Sequence, residues 1–125
     1  MKVRKIHGRG NHLIIDAVDV DSRILNDIKF IKKFLIELPL KISMHRLTKP
    51  KVIKATPKKY DTGGVTGFVI LSESNISIHT YPNEGKFYLD LFSCMEFDVN
   101  LAVNYVKEKF RLEKFSKKLL KRGNY

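Results

Sequence analysis

The sequence predicts an α+β fold, a two-layer sandwich in which an antiparallel sheet is covered on one face by two helices. Three observations predict it. Short β-branched and alternating runs follow one another across turn-length connections, which antiparallel hairpins permit and parallel strands do not. Two amphipathic stretches at helical spacing stand apart from that group of strands. Finally, 43% of the 125 residues are hydrophobic, enough for one domain, residues 1–125, with one modest core.

The elements follow in order. Residues 12–20 (HLIIDAVDV) form a β-branched run and read as a strand. Asp21 or Ser22 supplies a helix cap, and Ile24, Leu25, Ile28, Ile31, Leu35 and Leu38 then recur at three- and four-residue steps as one apolar stripe, so a single amphipathic helix is expected, ended by Pro39. Residues 51–56 (KVIKAT) read as a short strand, and the loop PKKYDTGG follows. Residues 67–71, 76–81 and 87–94 read as three strands, with Ser74 in the turn before the second and PNEG as the turn before the third. Asp98 caps a second helix carrying Leu101, Ala102, Tyr105 and Val106. The last stretch, KFSKKLLKRGNY, either continues that helix or returns as an edge strand.

Composition narrows the function classes. No apolar run reaches the roughly 20 residues that span a membrane, and no long apolar segment follows the basic start MKVRKIHGRG, so neither a membrane anchor nor a secretory signal is expected. A single cysteine, Cys94, forms no internal disulfide and fits a reducing, cytoplasmic setting. The net charge of +11, from 24 Lys and Arg against 13 Asp and Glu, permits nucleic-acid binding. The charge is nevertheless spread along the chain, is mostly lysine, and has no interleaved aromatic platform, so a lysine-rich surface is expected and nucleic acid is not. His7, His12, His45 and His79 show no ligand spacing with Cys94, and no metal site is expected.

Strand alternation then sorts side chains between faces. Ile76 and Ile78 point towards the helices, whereas Ser77, His79 and Tyr81 point away; Phe87, Leu89 and Leu91 oppose Tyr88, Asp90, Phe92 and Cys94. If the two strands pair, His79 and Cys94 share the uncovered face, with Thr66 entering nearby and Ser74 in the adjoining turn. Taken singly, each has an ordinary structural explanation: a hydrogen-bonded histidine, a turn serine, a strand threonine, an inert thiol. Together they form a candidate constellation of a histidine, a thiol and two hydroxyls.

At these residues the sequence resembles the short, bacterial and archaeal type of S-adenosylmethionine decarboxylase. That family's motif runs approximately S-E-S-H-I-S-I-H-T-W-P-E and is followed by an acidic strand ending D-x-F-T-C; here SESNISIHTYPNEG and LDLFSC stand at matching spacing. GVTG, residues 64–67, corresponds to the family's G-V-S-G, and GRGNHLIIDA, DSRILNDIKFIKKFL and the terminal RGNY are similar to its opening strand, first helix and ending. The resemblance implies self-cleavage between Glu73 and Ser74 into chains of residues 1–73 and 74–125. Ser74 would become a pyruvoyl group, the covalent cofactor, which binds the substrate amine as a Schiff base. It further implies that Thr66 supplies a processing hydroxyl, that His79 is the processing base, and that Cys94 donates a proton after decarboxylation. Glu73, Tyr60, Tyr81 and Glu84 would contact S-adenosylmethionine, with Tyr60 stacking on adenine. A homodimer of cleaved units is implied, each site drawing on both chains, and the product would feed polyamine synthesis.

Four departures bear on this. Asn75 replaces a histidine, Thr66 a serine, Tyr81 a tryptophan, and Asn83 a glutamate expected at the ribose, although Glu84 is adjacent. The processing residues are kept while recognition is altered, which leaves a pyruvoyl-dependent arginine or ornithine decarboxylase as one alternative and a non-processing basic binding module as another.

Overall fold

The structure, a computed structural model, describes residues 9–58 and 63–123. Six strands form one sheet: β1 (Gly10–Val18), β2 (Lys51–Lys54), β3 (Val65–Leu71), β4 (Ser74–Tyr81), β5 (Lys86–Ser93) and β6 (Lys114–Arg122). Their order is β2-β3-β4-β5-β1-β6, and every neighbouring pair is antiparallel. The helices are α1 (Ser22–Leu25), α2 (Ile28–Lys41) and α3 (Val99–Phe110). The two-layer α+β sandwich expected from the sequence is the architecture found, and the terminal stretch is a strand, β6, rather than more helix.

Period-two burial fixes which face meets the helices. Along β3 every second residue is buried: Val65, Gly67, Val69 and Leu71. Ile76, Ile78 and Thr80 of β4, Phe87, Leu89 and Leu91 of β5, and Leu13, Ile15 and Ala17 of β1 share that face. Onto it α2 lays Ile31, Phe34, Leu35 and Leu38, and α3 lays Ala102, Val103, Tyr105, Val106 and Phe110. Each such large apolar side chain stabilises the fold by about 1.5–3 kcal/mol. The helices come close to the sheet at Gly67, where a Cβ would lie 2.7 Å from Leu35 Cδ1. At Gly64 a Cβ would fall 1.8 Å from the Thr80 carbonyl oxygen, so both glycines of the GVTG stretch have packing reasons.

Most strand ends shift by one or two residues from the sequence-based expectation, and three differences have a clear physical cause. The first strand runs from Gly10 to Val18, because Asp19 takes φ +57 and turns the chain out of the sheet. The expected single helix is two: Asp21 caps α1 through Arg23 N–H, and Asp27 starts α2 afresh by accepting Phe30 N–H at 3.0 Å. That restart shifts the phase of the stripe, leaving Ile28 38% exposed and burying Phe34 instead. Pro39 does not end α2, which continues to Lys41. Its ring lies buried in the last turn, where only two more residues follow in the helix, and its own carbonyl accepts Met44 N–H at 2.9 Å.

Thr80 ties the layers together. Its buried hydroxyl accepts Val65 N–H and donates to the Leu25 carbonyl, both at 2.9 Å. On the helical side, Tyr105 donates to Glu37 at 2.5 Å, with Lys109 at 3.2 Å and Lys33 at 3.7 Å completing the cluster. Burial first, and then the Glu37 carboxylate, push the Tyr105 phenol well above its usual range; the same hydrogen bond, aided by Lys109 and Lys33, holds Glu37 below its ordinary value.

Two outcomes are expected. Thr80→Val preserves shape but strands a buried donor and a buried acceptor; equilibrium unfolding in urea should show a loss of at least about 2 kcal/mol. For Glu37, a folded pKa below the unfolded value means that stability is gained above the ordinary value of 4.5 and lost as the pH falls through the folded one. The stability gap between wild type and Glu37→Gln should therefore be full at pH 7 and close in acid; a gap that persists unchanged at low pH would refute it.

Candidate active site

The β3–β4 hairpin builds the first half of the site. Leu71 pairs with Ser74, leaving only Ser72 and Glu73 to reverse the chain. Ser74 is therefore the first residue of β4 rather than part of the turn, and Glu73 takes φ +57, a left-handed conformation that ordinarily falls to glycine or asparagine. The Glu73 carbonyl accepts Cys94 N–H at 3.1 Å. Ser74, 7% exposed, has the parity of Ile76 and so belongs to the helix-covered face. Its hydroxyl donates to Ser93 Oγ at 2.7 Å and also lies 3.3 Å from the Ser72 carbonyl. Ser93 is fully buried and accepts Met95 N–H at 2.7 Å.

This arrangement has a definite chemical capacity. A hydroxyl lies beside the peptide bond that precedes it, and the carbonyl of that bond already receives a backbone donor of the kind that stabilises a developing oxyanion. Sequence reasoning missed Ser93. Its signal was present: a lone hydroxyl where the apolar face Phe87, Leu89, Leu91 should continue.

The second half lies at the other end of β4. Thr66 and His79 are cross-strand partners, with Thr66 Oγ1 3.0 Å from His79 Nδ1 on the uncovered face. Tyr81 and Tyr88 meet edge to face at 5.3 Å, and the Lys86 ammonium sits over both rings at 5.3 and 5.5 Å. Glu84, in the 3-10 turn Pro82–Glu84, holds Lys86 at 3.1 Å. Glu84 first, and then Tyr88, keep that ammonium above its ordinary pKa. Tyr60 lies outside the described residues.

Within one chain these halves do not meet. Five residues separate Ser74 from His79 on an extended strand, about 17 Å at 3.4 Å per residue. Cys94, half-buried, sits at the Ser74 end. The register that pairs Ser74 with Ser93 and His79 with Tyr88 makes the separation unavoidable. Midway, His12 Nε2 meets Asp90 Oδ1 at 2.9 Å. The uncovered face carries Ile53 (56% exposed), Phe68 (41%) and Ile70 (45%), more apolar surface than a face meeting only water needs.

A cleft of about 400 Å³ opens elsewhere, between α1 and the end of α3, lined by residues including Asp21, Arg23, Phe30 and Arg111. It takes in none of the residues of the hairpin or of the Thr66–His79 pair, and Asp21 and Arg23 are already paired at 2.9 Å. The hairpin is the better candidate, since it brings a buried, hydrogen-bonded serine hydroxyl and a backbone donor on the preceding carbonyl to one peptide. Among the described residues no group of His, Cys, Asp and Glu is arranged to hold a metal ion, and no helix is long and apolar enough to cross a membrane.

Comparison with known proteins bears on the same residues. The profile of the family described as S-adenosylmethionine decarboxylase matches residues 11–123. The chain is 36% identical over 115 residues to an S-adenosylmethionine decarboxylase proenzyme of Brevibacillus brevis, covering 91% of this chain and 82% of that one. It is 32% identical over 119 residues to the proenzyme of Caldicellulosiruptor saccharolyticus, covering 94% and 91%. A crystal structure of the adenosylmethionine decarboxylase from Aquifex aeolicus shares the fold, with a TM-score of 0.78 at 22% identity, covering 98% of this chain and 94% of that one.

Proposed function

The chain belongs to the S-adenosylmethionine decarboxylase family, and we propose that it is made as a proenzyme that cuts itself between Glu73 and Ser74 and then decarboxylates S-adenosylmethionine. The observation that carries the cleavage site is the geometry at that one peptide: Glu73 at φ +57, its carbonyl on Cys94 N–H, and the hydroxyl of the next residue, Ser74, held by Ser93 Oγ. Ser74 Oγ bonds to the Glu73 carbonyl carbon, the C–N bond breaks, and the hydroxyl proton ends on the Ser74 nitrogen, giving an ester. Removal of the Ser74 α-proton expels the Glu73 carboxylate, and hydrolysis with release of ammonia leaves a ketone at the new N-terminus.

The residues present fit such a group, because Ser74 opens a strand and is anchored on both sides by β3 and β5. Once formed, the pyruvoyl ketone supplies an electron sink for loss of carbon dioxide. Cys94, bonded through its backbone to the cleavage site, holds a proton at Sγ for delivery to the carbon that has lost its carboxylate. Glu73, Tyr81 and Glu84 contact substrate, as does Tyr60. The aromatic pair Tyr81 and Tyr88 already faces one cation, Lys86, and a sulfonium is of the same class. The decarboxylated product serves as an aminopropyl donor for spermidine, and the enzyme works in the cytoplasm.

His79 and Thr66 act on Ser74 of a second copy. The roughly 17 Å between them within one chain and the apolar uncovered face support a homodimer in which each site takes Ser74 and Cys94 from one chain and His79 and Thr66 from the other.

Two measurements check this. Intact mass under denaturing conditions should give fragments of residues 1–73 and 74–125, the second without a free amine, while Ser74→Ala stays whole. The purified protein should release carbon dioxide from S-adenosylmethionine and not from arginine or ornithine. Separately, Ser74→Ala and His79→Ala chains, each uncut alone, should complement when co-expressed: the His79→Ala chain should be cleaved in mixed dimers. A His79→Ala chain that remains whole there would rule out the two-chain site.

A further inference from the structure

We infer that Ser93 is a positioning residue for self-cleavage, holding the attacking hydroxyl and the carbonyl's donor in register through one buried oxygen. The inference rests on the proposed cleavage at Ser74. Ser93 is directly across the sheet from Ser74, and its side chain has no exposure to solvent. It ends a face otherwise made of Phe87, Leu89 and Leu91, where a hydroxyl is costly to bury unless its bonds are satisfied. Its oxygen accepts two bonds, and each reaches one side of the reaction.

The first is from Ser74. With its hydrogen directed to Ser93 Oγ at 2.7 Å, the Ser74 oxygen is held in one rotamer and its lone pairs are left free of that donor contact. The competing acceptor, the Ser72 carbonyl, is farther away at 3.3 Å. The second bond is from Met95 N–H at 2.7 Å, which folds the chain back immediately after β5. The residue inside that bend is Cys94, whose own N–H points to the Glu73 carbonyl at 3.1 Å. One hydroxyl thus fixes both the nucleophile's orientation and the peptide that carries the oxyanion donor. Ser93 leaves the proton balance untouched: the Ser74 hydroxyl proton passes to the Ser74 nitrogen as the peptide becomes an ester.

The consequence is step-specific. Without Ser93 the ester forms slowly, while its later elimination is unaffected. Ser93→Ala should slow the appearance of the 1–73 and 74–125 fragments by ~10-fold or more, in line with the penalty for misplacing a reacting group. Ser93→Thr, which restores the hydroxyl, should bring the rate back towards wild type. Hydroxylamine, which cuts esters, should leave the Ser93→Ala chain whole, because the block precedes the ester. If Ser93→Ala does not fold by circular dichroism, Ser93→Cys carries the same test with the volume filled and the acceptor weakened. Wild-type cleavage run alongside separates the two ideas: an uncut wild type and an uncut Ser74→Ala would end the cleavage proposal itself. With the wild type cut, three results would overturn the role of Ser93. These are cleavage of Ser93→Ala or Ser93→Cys at the wild-type rate, a folded Ser93→Thr as slow as Ser93→Ala, and hydroxylamine cleavage of accumulated ester in Ser93→Ala.

Discussion

With Leu71 paired to Ser74, two residues must reverse the chain between the central strands, and Glu73 absorbs the reversal at φ +57. A left-handed conformation costs a non-glycine residue roughly 1–2 kcal/mol. The hairpin keeps it because the alternative is worse. Slipping β4 by one residue would carry Ile76 and Ile78 to the uncovered face and bring Ser77 and His79 into the core. Core packing therefore holds the left-handed residue in place, and the strain sits at Glu73, the residue before Ser74. The donor to its carbonyl and the partner of its hydroxyl both come from β5 and the bend after it, so the site inherits its precision from the sheet.

Much of this was legible in the sequence, for identifiable reasons. Period-two alternation in ISIHTY and FYLDLFSC located the two faces, and turn residues separated the strands, so the layer architecture followed directly. The β3–β4 turn was misplaced because its left-handed residue is a glutamate; a glycine there would have marked the two-residue hairpin at once. The helix break was hidden in the same way. Asp27 reads as one more polar residue on an amphipathic helix until its carboxylate is seen capping Phe30 N–H. The separation of Ser74 from His79 within one chain was missed, since alternation tells which face a side chain takes but not how far along the sheet it lies.

The net charge of +11 takes on a structural meaning once the strands are placed. Lys114, Lys117, Lys118, Lys121 and Arg122 lie on β6, an outer strand of the sheet, and Lys51 and Lys54 lie on β2, the other. Lysines along an unpaired edge discourage further strand addition. A cationic substrate gains nothing from that surface. Its attraction must come from local groups; Glu84 with the Tyr81 and Tyr88 rings already holds one cation, Lys86.

Two-fold symmetry resolves the remaining geometric problem. A self-complementary contact places residue i of one copy against residue j of the other and j against i. If the uncovered faces of two chains meet with their strands running in opposite directions, the His79 end of one lies over the Ser74 end of the other, and one contact creates two complete sites. The separation of about 17 Å along β4 is then the spacing between half-sites rather than a defect. The same contact covers Ile53, Phe68 and Ile70, so the apolar burial that holds the pair together also assembles the chemistry. On the proposed two-chain site, cleavage would be a property of the assembled pair. A chain kept apart from its partner has the left-handed Glu73, the Cys94 donor and the Ser93 bond, yet would lack the base for the Ser74 α-proton and would stop at the ester.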